Sequence, residues 1–151
     1  MTRVAGCPLC DAAGGHVVFA GDKFRLVRAD EEGFPAFYRV VWNEHFAEFS
    51  DLAPADRALC MEAVVQVERV LREHLRPVKI NLATLGNVVP HVHWHVIARF
   101  DWDSRFPAPV WAQAARDNDA ARIAHVVSGR PALEEALADA LGRGSGNCTA
   151  S

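Results

Sequence analysis

The sequence predicts one α+β domain built around a mainly antiparallel sheet, with one long helix and a shorter C-terminal helix. Three observations carry that expectation. Short apolar and β-branched runs are separated by turn residues rather than by repeated helical segments, which favours antiparallel strands over βαβ units. One central stretch shows apolar residues sustained at three- and four-residue spacing. The composition, 50% apolar and 23% charged over 151 residues, is that of a single soluble domain, and a chain of about that length buries roughly 68–70% of its unfolded surface.

Taken in order, Cys7 to Gly15 is a turn-rich knuckle. His16 to Ala20 and Phe24 to Ala29 flank Gly21-Asp22 and read as a hairpin. Asp30 to Pro35 is a loop, and Phe37 to Trp42 (FYRVVW) is a strand by its β-branched and aromatic content. Ser50 to Pro54 is a helix start, with Asp51 or Ala53 near the cap and Pro54 near the first helical position. Leu59, Ala63, Val67, Val70 and Leu71 continue that helix, which should end by Arg76, because Pro77 disfavours the α conformation before it. Val78 to Leu82 is a further strand, Gly86-Asn87 a turn, and Val88 to Phe100 holds the last clear strand. A second helix is expected over Pro131 to Leu141, and Gly142 to Ser151 (GRGSGNCTAS) reads as a flexible tail. One domain thus spans residues 1–141, with a core of about 7–105 and a tail at 142–151.

The charge balance excludes some functions. With 16 Lys+Arg against 19 Asp+Glu, the chain is not built to hold a nucleic-acid polymer by charge. No run of about 18 apolar residues offers a membrane span. The start, MTRVAGCPLC, lacks the apolar region of a secretory signal. A cytoplasmic protein is therefore expected, where paired cysteines more often bind metal or do redox chemistry than form disulfides.

The most informative segment is Pro90-HVHWHVIARF. On a strand successive side chains alternate faces, so His91, His93 and His95 are expected to line one face while Val92, Trp94 and Val96 pack on the core. Three imidazoles in a row are poor packing, since each needs hydrogen-bond partners and titrates near neutrality. A polar sheet face or a metal-binding row of histidines would leave the same pattern.

The pattern His-φ-His-φ-His-φ-φ resembles the signature of the histidine triad (HIT) superfamily, and residues 7–105 follow that family's order of elements: Cys pair, hairpin, strand, long helix, Asn-bearing strand and triad strand. The resemblance implies a HIT-like fold, a twisted sheet of about five antiparallel strands with helices, and a homodimer. It implies hydrolysis or nucleotidyl transfer at the α-phosphate of a nucleoside polyphosphate or phosphoramidate, with His93 as nucleophile forming a nucleotidyl-histidine. His95 would bond the phosphate, and the backbone carbonyl of His91 would hold Nδ1–H of His93. The chemistry is sound, because a neutral imidazole is a good nucleophile and a covalent intermediate divides a hard displacement. By the same resemblance Asn81 contacts phosphate and Asp30 binds ribose hydroxyls, as a carboxylate accepting two bonds can. A catalytically weak nucleotide-binding protein of the same fold is the alternative.

The chain departs from the family in places. Gly86-Asn87-Val88-Val89-Pro90 replaces the Gly-Gln-Ser/Thr run common before the triad, so Val88 brings no hydroxyl and Pro90 no backbone donor. Phe37 stands where some members carry a histidine.

Cys7-Pro-Leu-Cys10 has the spacing of two thiolates on one Zn²⁺. A redox pair or two buried thiols would show the same spacing. Some HIT proteins complete a Cys₂His₂ site with a histidine after the third strand and the first triad histidine, which here are His45 and His91. The resemblance thus implies a structural zinc on Cys7, Cys10, His45 and His91 and no organic cofactor. Cys60 reads as a small core residue, and Cys148 falls in the expected tail.

Overall fold

The computed structural model describes residues 2–145. A short helix α1 (Pro8–Asp11) leads into the hairpin β1 (His16–Ala20) and β2 (Phe24–Arg28), then β3 (Phe37–Trp42). The long helix α2 (Pro54–Leu75) follows, then β4 (Lys79–Ala83), β5 (His93–Arg99) and the C-terminal helix α3 (Ala120–Ser145). The five strands form one sheet in the order β1-β2-β3-β5-β4, every pair antiparallel. The expected fold class is the observed one.

Helix α2 starts and stops as its sequence dictates. Ala53 is the N-cap and Pro54 the first helical residue, where its missing N–H is harmless. Arg76 closes the helix in the left-handed region at φ 47°, its N–H donating to the Arg72 carbonyl, because the following Pro77 disfavours another α residue. Cys60, Ala63, Val64, Val67 and Leu71 form the buried stripe. They pack on Leu26, Tyr38, Val40, Trp42 and Val96, one face of the sheet.

The C-terminal helix differs from the expectation. It spans 26 residues, begins eleven positions before Pro131, and is the longer of the two main helices. Asp119 starts it: its side chain accepts from the Arg122 N–H at 3.0 Å and its carbonyl from the Ile123 N–H at 3.0 Å. Pro131 sits inside rather than at the first position. Leu133, Leu137 and Leu141 then recur at four-residue spacing against the same sheet face. The helix continues through Gly142 to Ser145, the start of the expected tail. The rest of that stretch, with Cys148, lies outside the described residues. Glu134 ties α3 to the sheet, accepting from the Arg28 guanidinium and from the Tyr38 hydroxyl.

With both helices on one face, the other face is left for different work. It carries Arg25, Val27, Phe37, Arg39, Val41, Asn81, His93, His95, Ile97 and Arg99, as strand alternation and pairing require. The N-terminal knuckle covers one part of it, packing Cys7, Leu9 and Cys10 on Val27 and Val41. The loop after β5 covers another, with Val110 among Ala29, Phe34, Phe37 and Ile97. Among the described residues no helix is long and apolar enough to cross a membrane.

Candidate active site and metal centre

His93 and His95 sit on β5 and face the helix-free side of the sheet, opposite Val41 and Arg39 of β3. His91 precedes the strand but keeps the face of His93 and His95, as expected from alternation: Val92 packs in the helix-side core, and the His91 ring meets Cys7 and Cys10, which pack on Val27 and Val41. Strand β5 begins only at His93. Upstream, the His91 N–H donates to the Val89 carbonyl at 2.8 Å across Pro90. That is the tight three-residue turn which the fixed φ of proline suits. The turn lies where the chain enters the strand, with the His91 ring against the cysteines.

The consequence is that His91 does two jobs. Its carbonyl accepts the Nδ1–H of His93 at 2.6 Å, which leaves Nε2 of His93 with the free lone pair. Its own Nε2–H donates to the Trp42 carbonyl at 2.6 Å, so its Nδ1 lone pair points the other way. That Nδ1 lies 3.5 Å from Sγ of Cys7 and 3.5 Å from Sγ of Cys10. His45 Nδ1 lies 3.4 Å from Sγ of Cys10.

The four ligand atoms of Cys7, Cys10, His45 and His91 lie within 4.8 Å of one another. Tetrahedral zinc with bonds of about 2.3 Å to sulfur and about 2.0–2.1 Å to nitrogen would set neighbouring S and N atoms roughly 3.6 Å apart. The residues therefore fit a tetrahedral metal, and this group can hold one. All four positions come from the protein, which is the pattern of a structural site with no open position for water.

Burial governs the titration of the histidines. His91 and His93 are held below the ordinary imidazole range, chiefly by desolvation. His95 is pushed down to about 4, by burial first and then by His93 and Arg39. At neutral pH His95 is thus an uncharged ring. Three aromatic neighbours enclose it: Phe37 at 5.4 Å, His93 at 5.0 Å and Trp111 at 5.2 Å between ring centroids.

Asn81 joins the same face from β4. Its Oδ1 accepts from Nη1 of Arg99 at 2.7 Å, which commits the oxygen and leaves the amide N–H groups as the free donors. Arg99 is itself immobile. It donates twice to Asp103, at 2.8 and 3.0 Å, and once to the Ala108 carbonyl at 2.8 Å. Asp103 in turn accepts from the N–H groups of Phe100, Arg105 and Phe106. Its carboxyl stays below the usual range: although burial alone would raise it, the Arg99 pairing and these backbone donors more than compensate.

Asp30 is not brought to this site. Two positions past the end of β2, its exposed carboxylate lies 3.7 Å from Arg28, whose guanidinium reaches Glu134 of α3. It lines a surface recess with Ile123, Val127 and Arg130, also of α3. Arg28 pairs with Tyr38 and shares its face, and β2 ends there, two residues before Asp30.

Arg39, Trp111 and the Arg99–Asp103 pair belong to the site and escape the motif. Arg39 could have been found from strand alternation, two residues from Phe37 and from Val41. Trp111 had no signal, because it lies in an aperiodic loop.

Comparison with known proteins agrees with this geometry. The family model described as the HIT domain matches residues 12–102. No curated protein matches the chain. Among solved structures, a histidine triad protein from Bradyrhizobium japonicum is similar at 26% identity, with a TM-score of 0.69, over 91% of this chain and 99% of that one. A histidine triad protein from Sinorhizobium meliloti is 22% identical, with a TM-score of 0.66, over 84% and 90% of the two chains. A zinc-bound histidine triad family protein from Mycobacterium smegmatis is 20% identical, with a TM-score of 0.60, over 91% and 94%. A sheet with its helices on one face, a histidine oriented by the carbonyl two residues before it, and a family model spanning most of the sheet lead to one conclusion: the chain belongs to the histidine triad (HIT) family.

Proposed function

We propose that this protein is a nucleotide hydrolase or nucleotidyltransferase that works at the α-phosphate through a covalent nucleotidyl-His93. The observation that carries the reading is the 2.6 Å bond from Nδ1–H of His93 to the His91 carbonyl. It presents the unprotonated Nε2 as nucleophile and gives the ring a partner for the positive charge that grows on it during attack. In the first step the Nε2–P bond forms and the bond from phosphorus to the leaving group breaks; the departing oxygen or nitrogen takes a proton from its surroundings. In the second, water or another acceptor attacks phosphorus and gives up its proton to its surroundings, the P–Nε2 bond breaks and the ring returns to its neutral form.

His95 and Asn81 hold the phosphoryl oxygens in this reading. Asn81 serves as a donor, since Arg99 already occupies its acceptor oxygen. Asp30 has no part in it. We assign the Cys7, Cys10, His45 and His91 cluster to zinc, which bonded there would brace the N-terminal knuckle against the turn that orients His93; thiolate and imidazole donors suit that ion. Free thiols at Cys7 and Cys10 support a reducing compartment such as the cytoplasm. Strand β4 is a sheet edge, and Val78, Leu82, Leu85 and Val88 around it are exposed. This supports a homodimer joined along that edge.

The test is turnover of diadenosine polyphosphate and of an adenosine phosphoramidate by the purified protein and by His93→Ala. The reading expects AMP from the wild type and a loss of about 10³-fold or more in the variant. Equal rates in both, or no cleavage of either substrate by a protein that still binds AMP, would remove His93 as nucleophile and leave a nucleotide-binding protein.

A further inference from the structure

Four buried polar side-chain atoms among the described residues have no hydrogen-bond partner, and two of them are cross-strand neighbours. They are Nε of Arg39 on β3 and Nδ1 of His95 on β5, residues directly opposite in the sheet register. Both residues project from the face that carries His93. Buried polar groups are normally satisfied, so an unpartnered pair beside a nucleophile marks a place where a ligand atom belongs.

The cations of this face can be taken one at a time. Arg25 is saturated: Nε donates to the Ala13 carbonyl at 2.9 Å, Nη1 to Asn43 at 3.1 Å and Nη2 to the Leu9 carbonyl at 2.7 Å. Arg99 is neutralised by Asp103 and fully bonded. Lys79 turns to the Ile80 carbonyl at 2.7 Å, at the far end of β4. Arg39 alone among these is held loosely. Its outer nitrogens reach the Gly14 carbonyl at 3.3 Å and Glu31 at 3.4 Å. The Glu31 partner is half exposed, and an ion pair at the rim is worth little. The guanidinium rests over the Phe37 ring, 5.5 Å from its centroid, and the same ring packs on His95.

An anion on this face meets rings that give hydrogen bonds rather than fixed charge, since His95 is neutral. It also meets no hydroxyl from position 88, where an exposed valine stands. Among the described strand cations of this face, Arg39 is the one free to move to it.

We propose that Arg39 is a phosphate-binding residue of this site. Its guanidinium exchanges Glu31 for an oxygen of the phosphate chain and selects nucleotides whose leaving group is itself anionic, joined through a phosphoanhydride, over conjugates that release a neutral amine. The proposal rests on the nucleotide reading above for the identity of the ligand, but not for the anion contact.

The experiment is titration calorimetry on the full chain carrying His93→Ala, which cannot turn substrate over, with and without Arg39→Gln. The probes are inorganic tripolyphosphate, ADP and adenosine. Arg39→Gln is expected to weaken tripolyphosphate and ADP by about tenfold or more while adenosine stays within about twofold, and Arg39→Lys is expected to recover part of the loss. Tripolyphosphate binding that needs Arg39 while neither ADP nor adenosine binds would uphold the anion site and defeat the nucleotide reading. Tripolyphosphate that binds equally well without Arg39, or not at all in either protein, overturns the proposal. So does adenosine falling as far as ADP, which would make Arg39 a nucleoside contact. Thermal melts of each variant establish that the protein is folded. Should Arg39→Gln fail to fold, the charge-retaining Arg39→Lys decides, with affinity for tripolyphosphate unchanged from the Arg39 protein counting against the specific fork-shaped contact.

Discussion

The carbonyl of His91 orients His93 through a 2.6 Å hydrogen bond while the ring of the same residue faces the thiols of Cys7 and Cys10. One residue therefore joins the candidate metal ligands to the proposed nucleophile. Removing the metal frees the His91 ring and, through the backbone, loosens the His93 tautomer. Prolonged chelation is expected to lower the melting temperature by roughly 5–10 °C, as loss of a few kcal/mol does in a domain of this size. Metal analysis and melting before and after chelation, then after zinc is restored, check this. A chain that holds no metal as purified and melts unchanged would remove the link.

Asn81 and Asp30 are predicted to behave oppositely. Asn81→Asp turns a donor into a second acceptor beside the phosphate while keeping a partner for Arg99. Affinity for AMP should fall about tenfold or more, with the melting temperature close to that of the wild type. Asp30→Ala should leave AMP affinity within about twofold, since Asp30 lies with α3. Calorimetric titration of both variants reads the difference, and a large loss in Asp30→Ala would return that residue to the site.

His95 makes stability depend on pH. Its folded pKa, pushed down to about 4, lies below the ordinary value near 6.5, so the unfolded chain binds the proton more tightly. The contribution is complete above about pH 6.5 and is lost as pH falls toward 4, amounting to roughly 3 kcal/mol at most. Between pH 7 and pH 4.5 the wild type should lose more thermal stability than His95→Gln. Equal losses would place the acid sensitivity elsewhere.

Leu82 tests the sheet edge. It lies on β4, the end strand, with its side chain exposed. A lysine at an edge blocks further pairing. Leu82→Lys is therefore expected to convert a dimer to a folded monomer at micromolar concentration in sedimentation velocity. A wild type that sediments as a monomer would dispose of the dimer.

Much of this was legible beforehand because the local signals agreed with the global fold. His16–Ala20 and Phe37–Trp42 match their expected bounds, since turn residues bracket clean β patterns. Pro77 marked the end of α2 for a steric reason that acts within two residues. Pro131 misled for the converse reason: proline favours a helix start, but the leucines on one side and the Asp119 cap on the other hold a helix through it. His91 keeps the face that alternation predicts, although the tight turn over Pro90 delays the start of the strand to His93. Asp30 rested on the resemblance alone, and two residues beyond the end of β2 no strand pairing fixes where its side chain points. Arg39 looked like an ordinary strand residue until its cross-strand partner was known to be His95.

The sheet with helices on one side alone has a consequence for how this protein can change. Along β3 and β5 every second residue, Tyr38, Val40, Trp94, Val96 and Ala98, packs toward the helix layer. Of the residues between them, Arg39, His93, His95 and Arg99 line the candidate site, while Phe37, Val41 and Ile97 pack beneath the knuckle and the loop after β5. Substitutions in the helix-side set thus act on whether the chain folds, while those at the four site-lining residues can also act on what the folded chain does. Such a surface can acquire a new substrate by drift in the few site-lining residues while the even-numbered ones keep the scaffold intact.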